Sequence, residues 1–332
     1  MSHDRGLVLV AGAGGFIGGH VVADLVRRGR QVRAVDIKRF DQWYQRFPQA
    51  ENLQLDLRVK EACEVAARGA SEIYNFAADM GGMGFIENNK ALCMLSVLIN
   101  THLLVAARQN GVARYFYASS ACVYAADKQL TTHLEEGLRE EDAYPAMPED
   151  GYGWEKLFSE RMCRHFRDDF GLQTRVARYH NVYGPHGTWG GGREKAPAAV
   201  CRKVIRAKLS GNYEIEIWGD GEQTRSFTYI EDCLTGTQLL MGSGIVDPLN
   251  IGSDQMVSIN RLVDMVERIA GVKLERRYDL NAPKGVRGRN SNNTLIKELL
   301  SWAPSIPLEV GLEKTYAWIY DEIMAGRNSH LT

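Results

Sequence analysis

The sequence predicts an α/β fold, a doubly wound parallel sheet followed by a smaller carboxy-terminal α/β region. Three observations lead there. Short apolar runs alternate with helix-like segments in the amino-terminal part, a glycine cluster separates the first run from the first amphipathic stretch, and the alternation loosens after about Arg178. Strands alternating with helices form parallel sheets covered on both faces, because each crossover carries a helix back over the sheet.

Leu7 to Ala11 is a Val-rich run of the kind buried on both faces, and Phe16 to Arg28 follows as an amphipathic helix. Gln31 to Asp36, Leu53 to Leu55, Glu72 to Ala77 and Arg114 to Ser119 read as further strands, with Ala91 to Asn110 as a helix among them. Beyond Arg178 come a glycine-rich loop (Tyr183 to Arg193), a helix from Pro197 to Lys208 and strand-like residues Ile215 to Trp218. No repeat or low-complexity linker separates the two parts. The second is therefore expected to pack directly on the sheet and leave a cleft at the carboxyl ends of the strands.

Composition narrows the function classes. With 332 residues, 45% of them hydrophobic, the chain can bury a substantial core. Its 40 basic and 41 acidic residues nearly cancel, which argues against a nucleic-acid surface and against an acidic disordered tail. Cys63, Cys93, Cys122, Cys163, Cys201 and Cys233 form no CxxC pair and no zinc-like spacing, so no metal is expected and reduced thiols in a cytoplasmic protein are. Met1 to Gly6 lacks a basic leader, and no uninterrupted stretch approaches membrane-spanning length. A soluble, unprocessed chain without membrane contact is the expectation.

Gly12, Gly15 and Gly18 occupy the first, fourth and seventh positions of GAGGFIG, between a strand and a helix. A residue without Cβ permits the tight turn and lets backbone amides approach a pyrophosphate, whose charge the helix amino terminus favours. An ordinary βα turn could carry the same glycines. Asp36, closing the second strand, adds a carboxylate placed to accept hydrogen bonds from adenosine ribose hydroxyls and to repel a 2′-phosphate. NAD is thus expected over NADP, with Lys38 and Arg39 partly offsetting the repulsion. Phe16 and Ile17 belong to the same loop, and Asp56 is placed to cap the adenine edge or to stand as an exposed loop carboxylate.

Tyr152 and Lys156 lie four residues apart on a predicted helix and so share a face. Ser119 and Ser120 end a predicted strand upstream. Together they supply a hydroxyl, a phenol and a cation in the order of a short-chain dehydrogenase. Tyr152, its pKa lowered by the Lys156 charge and NAD⁺, is expected to remove a hydroxyl proton as hydride leaves the same carbon, with Ser120 positioning that hydroxyl and Lys156 holding the nicotinamide ribose.

The segments DMGGMGFI (79–86), SSAC (119–122), GREKAPAA (192–199) and GVRGRN (285–290) together resemble the GDP-mannose 3,5-epimerases, extended short-chain dehydrogenases of the NAD-dependent epimerase/dehydratase family. The likeness spans nearly the whole chain. It implies Cys122 and Lys195 as the acid/base pair at C3 and C5. It also implies Gly81, Ser120, Glu194 and Ala196 along the sugar pocket, and Asn181, Lys203, Gln223, Arg225 and Arg287 on the nucleotide and diphosphate. The implied division is a Rossmann domain over 1–178, with 227–251 returning to it, and a nucleotide-sugar region over 179–226 and 252–330. The implied reaction is oxidation at C4, inversion beside the new ketone, and return of the hydride. A homodimer is expected through the helices 91–108 and 154–166. A C4-epimerase or 4-ketoreductase would need only Ser120, Tyr152 and Lys156, and a non-catalytic NAD-binding scaffold sits poorly with all three being intact.

Overall fold

The computed structural model describes residues 6–132, 136–282 and 285–327. The expectation for the amino end rests on residues 1–5, which lie outside the described part, as do residues 328–330 at the end of the second expected region. The strands in chain order are β1 (Leu7–Ala11), β2 (Val32–Asp36), β3 (Glu51–Gln54), β4 (Ala70–Asn75), β5 (Arg114–Ser120), β6 (Gln173–Tyr179), β7 (Val182–Tyr183), β8 (Glu214–Trp218), β9 (Thr224–Ser226), β10 (Thr228–Tyr229), β11 (Leu249–Ile251), β12 (Met256–Ser258), β13 (Glu275–Asp279) and β14 (Gly288–Arg289). The helices are α1 (Phe16–Arg27), α2 (Lys60–Ala67), α3 (Met83–Asn88), α4 (Lys90–Met94), α5 (Ser96–Gln109), α6 (Tyr152–Phe170), α7 (Ala196–Ser210), α8 (Ile230–Gly242), α9 (Ile259–Ala270), α10 (Thr294–Leu300) and α11 (Leu308–Met324).

Seven strands form one parallel sheet in the order β11-β6-β5-β4-β1-β2-β3. The direction of winding reverses beside β1, which leaves a crevice at its carboxyl end, where the glycine loop lies. Leu9, Ala11, Val35 and Ile73 face α2, α5 and α6 in one apolar layer. Val8 and Val10 belong to the other layer, which continues without a break into the side chains of α7, α9 and α11. One core therefore spans the sheet and the second region, and their shared cleft is held by apolar packing. The smaller sheets, β12-β9-β14 and β13-β8, line the far side of that cleft.

The helix expected over 91–110 is two helices joined at Leu95. Ser96 Oγ accepts the Asp79 amide at 2.9 Å, and the Leu98 amide closes a tight turn on the Leu95 carbonyl at 3.1 Å. The combined run Lys90–Gln109 is long and apolar enough by composition to cross a membrane, which corrects the expectation that no stretch approaches that length. Here it buries Ile99, Leu103 and Leu104 in the layer it shares with α2 and α6.

Candidate active site

A cavity of about 780 Å³ runs along the carboxyl ends of the sheet strands and under the second region. At one end Gly12 takes φ +81°, a conformation open to glycine, and its amide and that of Ala13 donate to the Val35 carbonyl at 2.8 and 3.0 Å. A Cβ on Gly18 would overlap the Gly12 carbonyl oxygen. That contact brings α1 against the turn, with its first amides uncapped by any side chain and directed at the crevice. Gly12, Gly15, Phe16, Ile17, Gly18, Asp36 and Asp56 all line the cavity. A pyrophosphate and adenosine fit this donor set.

Asp36 is buried, and its two oxygens accept the Gly14 and Lys38 amides at 3.0 Å each. Burial holds its carboxyl above the usual range. Lys38 lines the cavity with its ammonium over the Tyr44 ring, whereas Arg39 turns outward onto Asp41 at 2.8 Å. Asp56 is paired with Arg58 at 2.8 Å, which lowers its pKa.

The candidate reacting groups meet further along. Ser120 ends β5, and its Oγ accepts the Cys122 amide at 3.2 Å, so the chain turns directly after the serine. Tyr152 and Lys156 leave the first turn of α6 on one face, with Lys156 Nζ 5.4 Å from the Tyr152 ring centre and 3.6 Å from Glu155 Oε2. Burial, then Cys122 and Glu155, pushes the Tyr152 phenol well above its ordinary value. The lowering expected from the sequence is therefore not built into the chain itself.

Cys122 is buried at the same point. Burial and then Glu149 raise its thiol, while Arg289 and Lys195 act against them. The positive group touching the sulfur is Arg289, whose Nη1 donates to Sγ at 3.5 Å. Lys195 precedes the first residue of α7, Ala196, and both line the cavity. Burial lowers the Lys195 ammonium, Cys122 and Glu149 act against this, and Arg289 and Arg225 add to it.

Asn181, Glu194, Lys203, Gln223 and Arg225 line the cavity as well. Glu194 is held by Arg202 at 2.7 Å and the Gly192 amide at 2.7 Å, and Lys203 donates to the Glu216 carbonyl at 2.7 Å. Gln223 Oε1 is buried and makes no hydrogen bond among the described residues, leaving an acceptor for a ligand. Burial and the neighbouring Arg289 lower Arg225 to about 10. Two expected residues fall off the lining. Arg287 points to Asp220 at 3.1 Å, and Gly81 is packed between Phe85 and Arg193, with Gly82 taking the lining position.

Sequence reasoning missed Arg289 and Glu149. Arg289 stands in the same GVRGRN segment as Arg287, and two arginines separated by Gly288 gave no ground for preferring the second. Glu149 sits in a loop without periodicity, so nothing local marked it. Tyr44 and Thr188, joined at 2.7 Å across the cofactor end of the cavity, were missed for the same reason.

A profile of the NAD dependent epimerase/dehydratase family matches residues 8–252. Among characterised proteins, the chain is 48% identical over 317 residues to GDP-mannose 3,5-epimerase 1 of Oryza sativa subsp. japonica, covering 95% of this chain and 82% of that one. The GDP-mannose 3,5-epimerase of Arabidopsis thaliana gives 48% identity over the same shares. Among solved structures, UDP-glucose 4-epimerase of Thermotoga maritima with UDP-glucose superposes with a TM-score of 0.86 at 25% identity, over 96% of this chain and 99% of that one. MoeE5 in complex with UDP-glucose and NAD gives 0.77 at 28% identity, over 96% and 100%.

Proposed function

The chain belongs to the NAD-dependent epimerase/dehydratase family, and from that premise we propose that it inverts C3 and C5 of GDP-mannose to give GDP-L-galactose, or GDP-L-gulose when C5 alone inverts. It is an NAD-dependent epimerase. NAD⁺, when bound, would supply the acceptor for the C4 hydride and, as NADH, the hydride for the closing reduction. Tyr152 takes the C4 hydroxyl proton, Ser120 orients that hydroxyl, and Lys156 holds the ribose end of the cofactor in register with it. Oxidation makes C3 and C5 acidic together, because a carbanion at either position delocalises into the new carbonyl. Cys122 and Lys195 then remove and replace the protons from opposite faces of the ring. Arg225 and Lys203 bind diphosphate oxygens, and Gln223 offers its free acceptor to the base.

The observation that carries this reading is the meeting of Cys122 and Lys195 in the cavity that also holds Ser120, Tyr152 and Lys156, close enough for each charge to act on the other. A C4-epimerase or ketoreductase has no use for that pair. Turnover of GDP-mannose in deuterated water should place deuterium at C3 and C5 by NMR. Cys122→Ser and Lys195→Ala should each lose about 10²- to 10⁴-fold in that incorporation, as expected for removal of a general acid or base, while retaining NAD. Near-wild-type incorporation in both variants would hand the lead to C4 chemistry.

The reading includes a homodimer. Met94 on α4, Leu95 at the joint and Leu98 on α5, with Trp154 and Phe158 on α6, are large apolar side chains left exposed on neighbouring elements. Light scattering should give twice the 37.2 kDa chain mass. The six free cysteines suit a reducing compartment, and we take the cytoplasm as its location.

A further inference from the structure

Cys122 is flanked by two opposite charges that the reaction above leaves unused. Glu149, in the loop before α6, is tied to it through the backbone, its amide donating to the Cys122 carbonyl at 3.0 Å. Arg289 on β14 spreads over three acceptors. Its Nε donates to Gln129 Oε1 at 2.6 Å, its Nη1 to Cys122 Sγ at 3.5 Å, and its Nη2 to Glu149 Oε1. The Arg289 and Glu149 side chains are only 5% and 12% exposed, so little water screens them. Glu149 Oε2 is buried and makes no hydrogen bond among the described residues. Arg289 thus bridges the carboxylate and the sulfur, and the two groups act on each other.

Other groups also face the sulfur. Lys195 before α7 and Arg225 on β9 are cationic, and Tyr152 on α6 and Cys93 on α4 pack against it as neutral side chains. Against three cations, Glu149 is the carboxylate that acts on Cys122. A buried carboxylate with one oxygen spoken for and one free suits a weak donor such as S–H. The guanidinium that bridges carboxylate and sulfur suits the anion left when that proton departs.

We propose that Glu149 is a positioning residue for Cys122: its carboxylate, tied to the cysteine through Arg289 and the backbone, keeps the sulfur as a proton-bearing thiol in the resting site, and Arg289 limits that hold by stabilising the thiolate. The inference rests on Cys122 working at a sugar carbon. When the thiol gives its proton to carbon, the electron pair of the S–H bond stays on sulfur, which Arg289 already contacts. When the thiolate takes a proton from carbon, the buried Glu149 carboxylate again favours the thiol form.

The test measures the pH dependence of Cys122 alkylation by iodoacetamide in the NAD-loaded protein, read by peptide mass spectrometry. The thiolate is the reacting form, so the rate reports its fraction. Glu149→Gln keeps the shape and removes the charge. Its midpoint should move down, with Cys122 alkylated at least about threefold faster at pH 7 than in wild type. Arg289→Gln should move the midpoint up and slow the reaction by a similar factor. Should Arg289→Gln fail to retain NAD, Glu149→Asp serves as the second arm, since it keeps the charge and must keep the wild-type direction. An unmoved midpoint in Glu149→Gln, or shifts of the same sign in both variants, overturns the proposal in favour of simple packing. The readout needs no sugar. Opposed shifts together with full turnover in Cys122→Ser would therefore sustain the pairing while overturning the epimerase role of the cysteine.

Discussion

On the β3 side of the sheet, stability and cofactor fit come from close apolar packing, with Leu9, Ala11 and Val35 fully buried beneath a glycine turn. On the β11 side the same sheet is threaded with buried polar groups. Arg178 stands in register between Ser119 of β5 and Asn250 of β11, and its guanidinium grips Glu160 of α6 at 2.7 and 2.9 Å. Glu160 also accepts Ser119 Oγ at 2.5 Å, and Arg178 donates to the Glu140 carbonyl at 2.6 Å. Beyond it, Asn250 Oδ1 joins Tyr124 at 2.5 Å and His180 at 2.9 Å. The first side tolerates any well-fitting apolar set. The second depends on every partner being present, because a charge left alone in low dielectric costs far more than a lost methyl group.

The largest expected effect breaks the ion pair. Arg178→Met leaves Glu160 buried without its cation and should cost about 3–5 kcal/mol in urea unfolding. Ile73→Val, in the apolar layer of the same sheet, should cost about 0.5–1.5 kcal/mol. A milder loss in Arg178→Met than in Ile73→Val would erase the contrast. Removing both charges together, in Arg178→Met with Glu160→Met, should recover much of the loss.

A smaller effect comes from acid. His180 is fully buried, its Nδ1 has no partner among the described residues, and burial lowers its pKa to about 3. The unfolded chain takes up a proton near the ordinary histidine value while the folded chain refuses it. Stability from this residue is therefore complete above that value and declines as pH falls toward about 3. Between pH 7 and 5 it should contribute a loss of about 2 kcal/mol. Urea midpoints at the two pH values should differ less in His180→Asn, and an unchanged difference would assign the acid sensitivity elsewhere.

The smallest effect sharpens the cofactor side. Tyr44→Phe removes the hydroxyl that bridges to Thr188 over the cavity and should weaken cofactor retention by about 0.5–1.5 kcal/mol. NAD should leave the variant up to about tenfold faster in a dialysis or fluorescence assay, with stability nearly unchanged. Equal NAD retention would show that packing alone closes this end.

Much of the cofactor half was legible because its signals are local. A Val-rich strand, three glycines and an aspartate at the end of the next strand lie within thirty or so residues, and short-range sterics turn them into one shape. Tyr152 and Lys156 were legible for the same reason, as helical spacing alone puts them on one face. The joint at Leu95 was not, since it depends on Ser96 meeting the Asp79 amide. The setting of Cys122 was not either, since Arg289 and Glu149 come from segments far apart in the chain.

By itself, then, the sequence determined the parallel sheet, the glycine turn against α1, the shared face of Tyr152 and Lys156, and a family likeness that led to Cys122 and Lys195 as candidate residues. Each follows from periodicity, from the missing Cβ of glycine, or from a motif read residue by residue. Only the tertiary structure decided which arginine of GVRGRN reaches the sulfur, that a carboxylate stands beside it, and that the Tyr152 phenol and the Cys122 thiol both start above their ordinary values. The physical reason is that burial and charge are properties of an environment. An environment is assembled from β14, the loop before α6 and the start of α7 only once the chain has closed around them.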